Sequence, residues 1–108
     1  MDNFRQYENK QGITKMEFEV PVLCYCTLGK NYYKPTLKIE MVLKDKIVDF
    51  LDLERYFKQD LNGAKLTCED LVEDVFNTMK SVYNPKKLRV CCQSDSHFLI
   101  RTIKEWEE

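Results

Sequence analysis

A chain of 108 residues, 44% hydrophobic and 32% charged, with three glycines and three prolines, has the makeup of one globular domain able to bury about 60–70% of its unfolded surface. Seventeen basic against 18 acidic side chains leave a formal net charge of -1, which excludes a global positive field for gripping a phosphate backbone and disfavours nucleic acid as an electrostatic partner. The longest apolar runs, such as 20–26, are far short of the ~20 residues of a membrane span, and the polar N-terminus has no signal-peptide core, so the reading is a soluble, cytoplasmic protein.

In chain order, residues 1–12 (MDNFRQYENKQG) are polar and aperiodic, and are expected to form a flexible arm ahead of a single domain over 13–108. From Lys15, the residues Met16, Phe18, Val20, Val22, Cys24 and Cys26 alternate with Glu17, Glu19, Pro21, Leu23 and Tyr25, the period of two of a strand. Pro21 offers no amide hydrogen and argues for an edge position or a bulge. Gly29 and Asn31 mark a turn, after which Leu37, Ile39, Met41 and Leu43 face one way and Thr36, Lys38 and Glu40 the other. Two antiparallel strands joined by a hairpin follow.

Asp49 then opens a helical stretch with Phe50, Leu53, Tyr56 and Phe57 at spacings of three and four, stopped by Asn62-Gly63. Thr67 predicts the N-cap of a second helix, with Glu69 and Asp70 in its first turn and Leu71, Val72, Val75, Phe76, Met79 and Val82 as its apolar stripe. Asn84-Pro85 ends it. Segments 87–93 (KLRVCCQ) and 97–103 (HFLIRTI) read as two further strands around a turn at Ser94-Asp95. The order strand-strand-helix-helix-strand-strand predicts an α+β domain, a four-stranded antiparallel sheet with both helices on one face. Its open face is expected to stay partly apolar and its two edges unpaired, which favours association.

Five cysteines, at 24, 26, 68, 91 and 92, form an odd set without zinc-knuckle spacing and beside a single histidine, so reduced thiols are expected and no metal. No phosphate loop, nucleophile elbow or paired-glycine fingerprint is present. Three features can carry chemistry. Thr67-Cys68-Glu69-Asp70 is a helix start, and Glu69 there is able to accept hydrogen bonds from the N–H edge of a purine-like ring. Cys24 and Cys26 share one strand face, as packing groups or as a nucleophile. His97, near a turn, reads as a surface residue before an acid or base.

Through YENK, MEFEVP, LCYC, GKNYY, KIVDFLDLERYF, LTCEDLVEDV and NPKKLRV, the chain resembles the tunnelling-fold superfamily. The units of that superfamily have this strand-helix-strand order and bind purines or pterins at subunit interfaces. Within it the likeness is to the 7-cyano-7-deazaguanine nitrile reductases and their short QueF-like relatives of queuosine and archaeosine metabolism, a route of tRNA modification. VDFLDLE also looks like 6-pyruvoyl-tetrahydropterin synthase.

The resemblance implies that Glu69 anchors the base, that Asp49 is a second substrate-binding acid, and that Cys26, or alternatively Cys24, adds to the nitrile carbon to form a thioimide. The family's aspartate after that cysteine has no match, since GKNYYK supplies Asn31 and Tyr32, and Cys68 stands where a histidine is expected. The lysine-bearing NADPH motif is replaced by FLDLER, and Lys30 stands where the pterin synthases place a zinc histidine. No cofactor and no metal are therefore predicted, and amine or ammonia addition is favoured over NADPH reduction. The resemblance further implies a homo-oligomer with sites between subunits, the arm and the 30–34 loop lying near a neighbour's Glu69. It leaves room for a substrate base borne on tRNA. The alternative function is a noncatalytic family member that keeps a purine or pterin pocket, or serves structure alone.

Overall fold

The computed structural model describes residues 4–26, 28–63, 67–95 and 98–108. Its centre is a four-stranded antiparallel sheet in the order β2-β5-β7-β8, formed by β2 (Lys15–Pro21), β5 (Thr36–Val42), β7 (Lys87–Ser94) and β8 (Ile100–Glu107). The strand alternation decides which residues turn inward. Leu37, Ile39 and Met41 of β5 and Leu88, Val90 and Cys92 of β7 are almost wholly buried, each facing a partner in register, Leu37 opposite Cys92 and Met41 opposite Leu88.

That inner face is covered by two helices, as the α+β reading predicts. Helix α1 (Phe50–Arg55) runs into a π-helical turn, Tyr56–Asp60, whose Phe57 ring meets Phe18 of β2 edge-on at 5.9 Å. Helix α2 (Cys68–Tyr83) lies across β7 and β8. All six residues of its predicted stripe are buried, and Tyr83 with them. At about 1.5–3 kcal/mol for each fully buried large apolar side chain, this seam is the main favourable contribution of the helix. Thr67 Oγ1 caps α2 by accepting from the Asp70 amide at 3.2 Å. Asn84 stops it in a left-handed conformation (φ 47°) with its amide on the Lys80 carbonyl, Pro85 following.

Three expectations are corrected. The first strand does not run on to Cys26. It breaks after Pro21, and Cys24–Cys26 (β3) pairs separately with Asn31–Tyr33 (β4) as a two-stranded ribbon. Pro21 and Pro35 lie at the junction, neither able to donate an amide to a continuous ladder. The last strand begins at Ile100 and continues to Glu107, beyond the predicted end at Ile103. Its inward Lys104 and Trp106 hid it in a charged tail: the Lys104 ammonium lies 4.7 Å from the Phe76 ring and Lys80 lies 4.3 Å from Trp106, so stems and rings pack on α2 while the charges reach solvent.

The open face of the sheet is partly apolar, as expected, with Cys91 opposite the exposed Ile103, and it also carries charge. Arg89 Nη1 donates to Glu40 Oε2 at 3.0 Å and its Nε faces Glu105 at 3.8 Å. Further exposed apolar side chains include Leu28, Tyr32, Phe98, Leu99 and Ile100.

The polar N-terminal stretch, expected as an unpartnered arm, holds a strand. Gln6–Glu8 (β1) pairs antiparallel with Lys46–Val48 (β6), and the Gln6 side-chain amide donates to the Val82 carbonyl at 2.8 Å. Arg5 is the anchor. Its amide donates to Asp52 Oδ2 at 2.7 Å, its Nε to the same oxygen at 3.1 Å and its Nη2 to Asp49 Oδ2 at 3.0 Å. Arg55 adds a bond to Asp52 Oδ1 at 3.0 Å. Asp52, 2% exposed, is thus a buried carboxylate with both oxygens satisfied, which is the condition for burying it. The Arg5 side-chain and backbone donors hold its carboxyl at about 2, against the ordinary 3.8.

A carboxyl held below its unfolded value adds stability above that value and loses it as pH falls toward the folded one. Asp52→Asn is expected to lower Tm at neutral pH and to flatten the loss of Tm between about pH 4 and pH 2. An acid limb identical to that of the parent, measured by circular dichroism, would show that the Arg5–Asp52 pair contributes nothing.

Candidate functional site

At one end of the sheet, the break after β2 leaves a cavity of about 670 Å³ between the β3–β4 ribbon, the start of α2 and the turn from β7 to β8. The ribbon contributes Cys26, Asn31, Tyr32, Tyr33 and Lys34, and α2 contributes Thr67, Cys68 and Glu69. Ser94, Asp95 and Thr102 close the third side. The ribbon is stiffened by Tyr25 and Tyr32, whose rings meet edge-on at 5.1 Å. Its turn is tight at Gly29, where a Cβ would come within 2.9 Å of Asn31 Oδ1. The same glycine amide donates to Cys26 Sγ at 3.3 Å.

Cys26 and Glu69, distant in the sequence, therefore line one cavity of one chain. The 30–34 loop, expected beside a neighbour's Glu69, shares the cavity with Glu69 of its own chain through Tyr32 and Lys34. Glu69 is exposed, and among the described residues its carboxylate has no hydrogen-bond or ion-pair partner, so its oxygens are free to accept. Thr67 and the amides of α2 carry the cap without it.

The other two predicted site residues lie apart from these. Asp49 caps α1, accepting from the amides of Leu51 and Asp52 at 3.1 and 3.3 Å, and pairs with Arg5. It is not among the residues lining the cavity. Cys24 sits in the core at 0% exposure, and burial pushes its thiol up. A thiol sealed from solvent and held protonated is not available as a nucleophile, so of the i, i+2 pair only Cys26 reaches open space. His97 lies outside the described residues.

Two groups escaped the sequence reading, and a third, Cys68, gains a new setting. Tyr33 lies opposite Cys24 in the ribbon register and lines the cavity with Cys68, and burial pushes its phenol up. Asp95 brings a second carboxylate from the β7–β8 turn, where Ser94-Asp95 gave only a turn signal. Cys68 was read as part of a helix cap. Neighbouring Cys92 and Tyr33 hold its thiol below the usual 9.0, and the helix N-terminus acts in the same direction.

Iodoacetamide at neutral pH is expected to label Cys26 and Cys68 in the folded protein and to spare Cys24, Cys91 and Cys92, which are at most 1% exposed. The Cys68 rate should rise through a midpoint near pH 7. Peptide mapping that found Cys24 labelled as fast as Cys26 would overturn this division.

No protein-family model and no curated protein matches the sequence. Among solved structures, the crystal structure of the archaeosine synthase QueF-Like in the apo form superposes with a TM-score of 0.78 at 14% identity, over 86% of this chain and 93% of that one. Strand order, helix placement and this superposition together give the chain a QueF-like tunnelling fold.

Proposed function

We propose that the chain binds a purine-like base of the 7-deazaguanine type and acts on the nitrile of 7-cyano-7-deazaguanine through Cys26. The observation that carries this reading is the meeting of the exposed Glu69 carboxylate and an accessible Cys26 thiol in one cavity. The fold shared with an archaeosine synthase adds support. A carboxylate accepts two N–H donors from one edge of a guanine-like ring, which fixes both position and orientation. With the base so held, the Cys26 sulfur adds to the nitrile carbon. A C–S bond forms, one C–N π bond opens onto nitrogen, and the nitrogen takes a proton to give a thioimide.

Asp95 is the other carboxyl group on the cavity and is our candidate proton carrier, in place of the aspartate missing after Cys26. Attack by ammonia or an amine on the thioimide carbon expels the thiol and leaves an amidine. This route needs no hydride donor. A binding module without catalysis is the second reading, favoured by the commitment of Asp49 to Arg5 and the α1 cap.

Titration with 7-cyano-7-deazaguanine separates the two. Catalysis predicts thioimide absorbance that Cys26→Ala abolishes while binding persists, and saturable binding without absorbance supports the module. In both readings Glu69→Gln should weaken binding by about 2–3 kcal/mol, because a ligand donor loses its charged acceptor. Unchanged affinity in that variant would defeat the base-anchoring role.

Assembly into a homo-oligomer belongs to the same proposal. Strands β2 and β8 are the sheet edges, with outward amides that another sheet can pair. Phe98, Leu99 and Ile100 stand exposed beside the β8 edge. Sedimentation at micromolar concentration should show a closed oligomer, and a monodisperse monomer that binds the base would contradict it.

A further inference from the structure

Addition of a thiol sulfur to a nitrile carbon places negative charge on the nitrile nitrogen before a proton reaches it, and the β3–β4 ribbon holds a donor for that charge. Cys26 and Asn31 are directly opposed in the ribbon register, so their Cβ atoms stand about 4.5–5.5 Å apart on one face. The neighbouring pair, Tyr25 and Tyr32, meets on the other face with ring centroids at 5.1 Å. Cys26 and Asn31 both line the cavity. Gly29 ties the two side chains together. A Cβ built there would stand 2.9 Å from Asn31 Oδ1 and 3.7 Å from Cys26 Sγ, so the carboxamide and the sulfur converge on one point beside the turn. Lys30, left-handed at φ 54°, closes that turn, a conformation uncommon for a residue other than glycine.

We propose that Asn31 is a catalytic residue of the nitrile addition, its Nδ2 donating a hydrogen bond to the nitrile nitrogen as Cys26 Sγ attacks the carbon. This role rests on the reaction read for Cys26 and adds the group that receives the charge the reaction creates. A sulfur electron pair forms the C–S bond, and one C–N π pair moves onto nitrogen. Asn31 stabilises that pair without giving up its own hydrogen. The proton lost from sulfur ends on nitrogen by way of the Asp95 carrier, so S–H has added across C≡N and nothing is oxidised or reduced. A carboxamide suits this task because its N–H donates at every pH and is not an acid. Fixed donors aimed at developing charge are among the largest contributions to catalysis.

The nitrogen lies one bond beyond the carbon that Sγ attacks, within reach of the side chain opposite Cys26. Other polar groups on the cavity fit the role less well. The Tyr32 ring is turned to Tyr25, and Glu69 on the far wall, as a carboxylate, has no hydrogen to donate. The Gly29 amide is already spent on Cys26 Sγ at 3.3 Å. With Oδ1 turned toward Gly29, Nδ2 is the end of the Asn31 carboxamide farther from the turn.

The test uses the reduced full-length protein and two electrophiles at neutral pH. One is 2-cyanopyrimidine, a nitrile without a purine edge for Glu69; the other is iodoacetamide, whose departing iodide leaves no charge on nitrogen. Adducts at Cys26 are followed by intact mass and peptide mapping, with Cys68 of the same molecule as the internal reference. Asn31→Ala, and Asn31→Asp with the same shape but no amide donor, should slow nitrile addition to Cys26 on the order of 10²-fold. Both should leave the iodoacetamide rate of Cys26 and the rates of Cys68 unchanged. Should either variant alter the fold by circular dichroism, Gly29→Ala carries the comparison, because it keeps the backbone amide on Cys26 and crowds the end of the Asn31 side chain. The same split is expected of it. A variant that adds the nitrile as fast as the parent, or one that loses nitrile and iodoacetamide reactivity together, overturns the proposal. Titration with 7-cyano-7-deazaguanine tests the base reading separately: a protein that shows the split and does not bind the base defeats that reading and keeps the role of Asn31.

Discussion

Packing of the α2 stripe onto β7 and β8 is the constraint on which the other features depend. Leu71, Val75 and Met79 are fully buried against a sheet face built from Leu88, Val90 and Cys92. Once that seam is made, the direction of α2 is set, and its N-terminus must arrive where β7 ends and the β3–β4 ribbon bends away. Thr67, Cys68 and Glu69 owe their shared position on the cavity to this seam more than to any local preference. The cavity itself follows from two prolines. By interrupting the β2–β5 ladder, Pro21 and Pro35 let the ribbon leave the sheet and form a wall opposite the helix start.

The polar interior is small and placed at the other end of the domain. Among the described residues Asp52 is the one buried charged side chain, and Arg5 and Arg55 surround it. Its oxygens take the Arg5 amide and guanidinium as donors, so Arg5 and the strand after it are held close to α1. That is why a stretch of low hydrophobicity is ordered over Gln6–Glu8. Arg5 also takes Asp49 into the same network and away from the cavity.

Sulfur chemistry divides by depth. Cys24, Cys91 and Cys92 are buried, while Cys26 and Cys68 reach the cavity from opposite walls. Two thiols of different surroundings therefore face one ligand space. Cys26 has a single amide donor, and Cys68 has a thiol, a phenol and a helix terminus around it. The distinction assigns addition to an electrophilic carbon to Cys26 in our proposal.

The sequence by itself determined the α+β order, the inward sets Leu37/Ile39/Met41 and Leu71/Val75/Met79, the caps at Thr67 and Asn84, and the restriction of Pro21 to an edge or a bulge. Each of these rests on short-range periodicity or on the covalent geometry of one residue, which the chain carries wherever it goes. Tertiary structure alone decided that Gln6–Glu8 is a strand, because its partner Lys46–Val48 and its anchor Asp52 are far away in the chain. It alone turned Lys104 and Trp106 inward, since α2 covers their stems. The candidate site divides in the same way. Helix-start chemistry marked Glu69 in advance, but the alternation that placed Cys24 and Cys26 on one face could not say which lies under the ribbon and which beside the opening. Asp49 carried the same carboxylate as a ligand-binding acid, and only the fold gave it Arg5. Distance along the chain does not encode proximity, and the burial of α2 on the sheet supplies it.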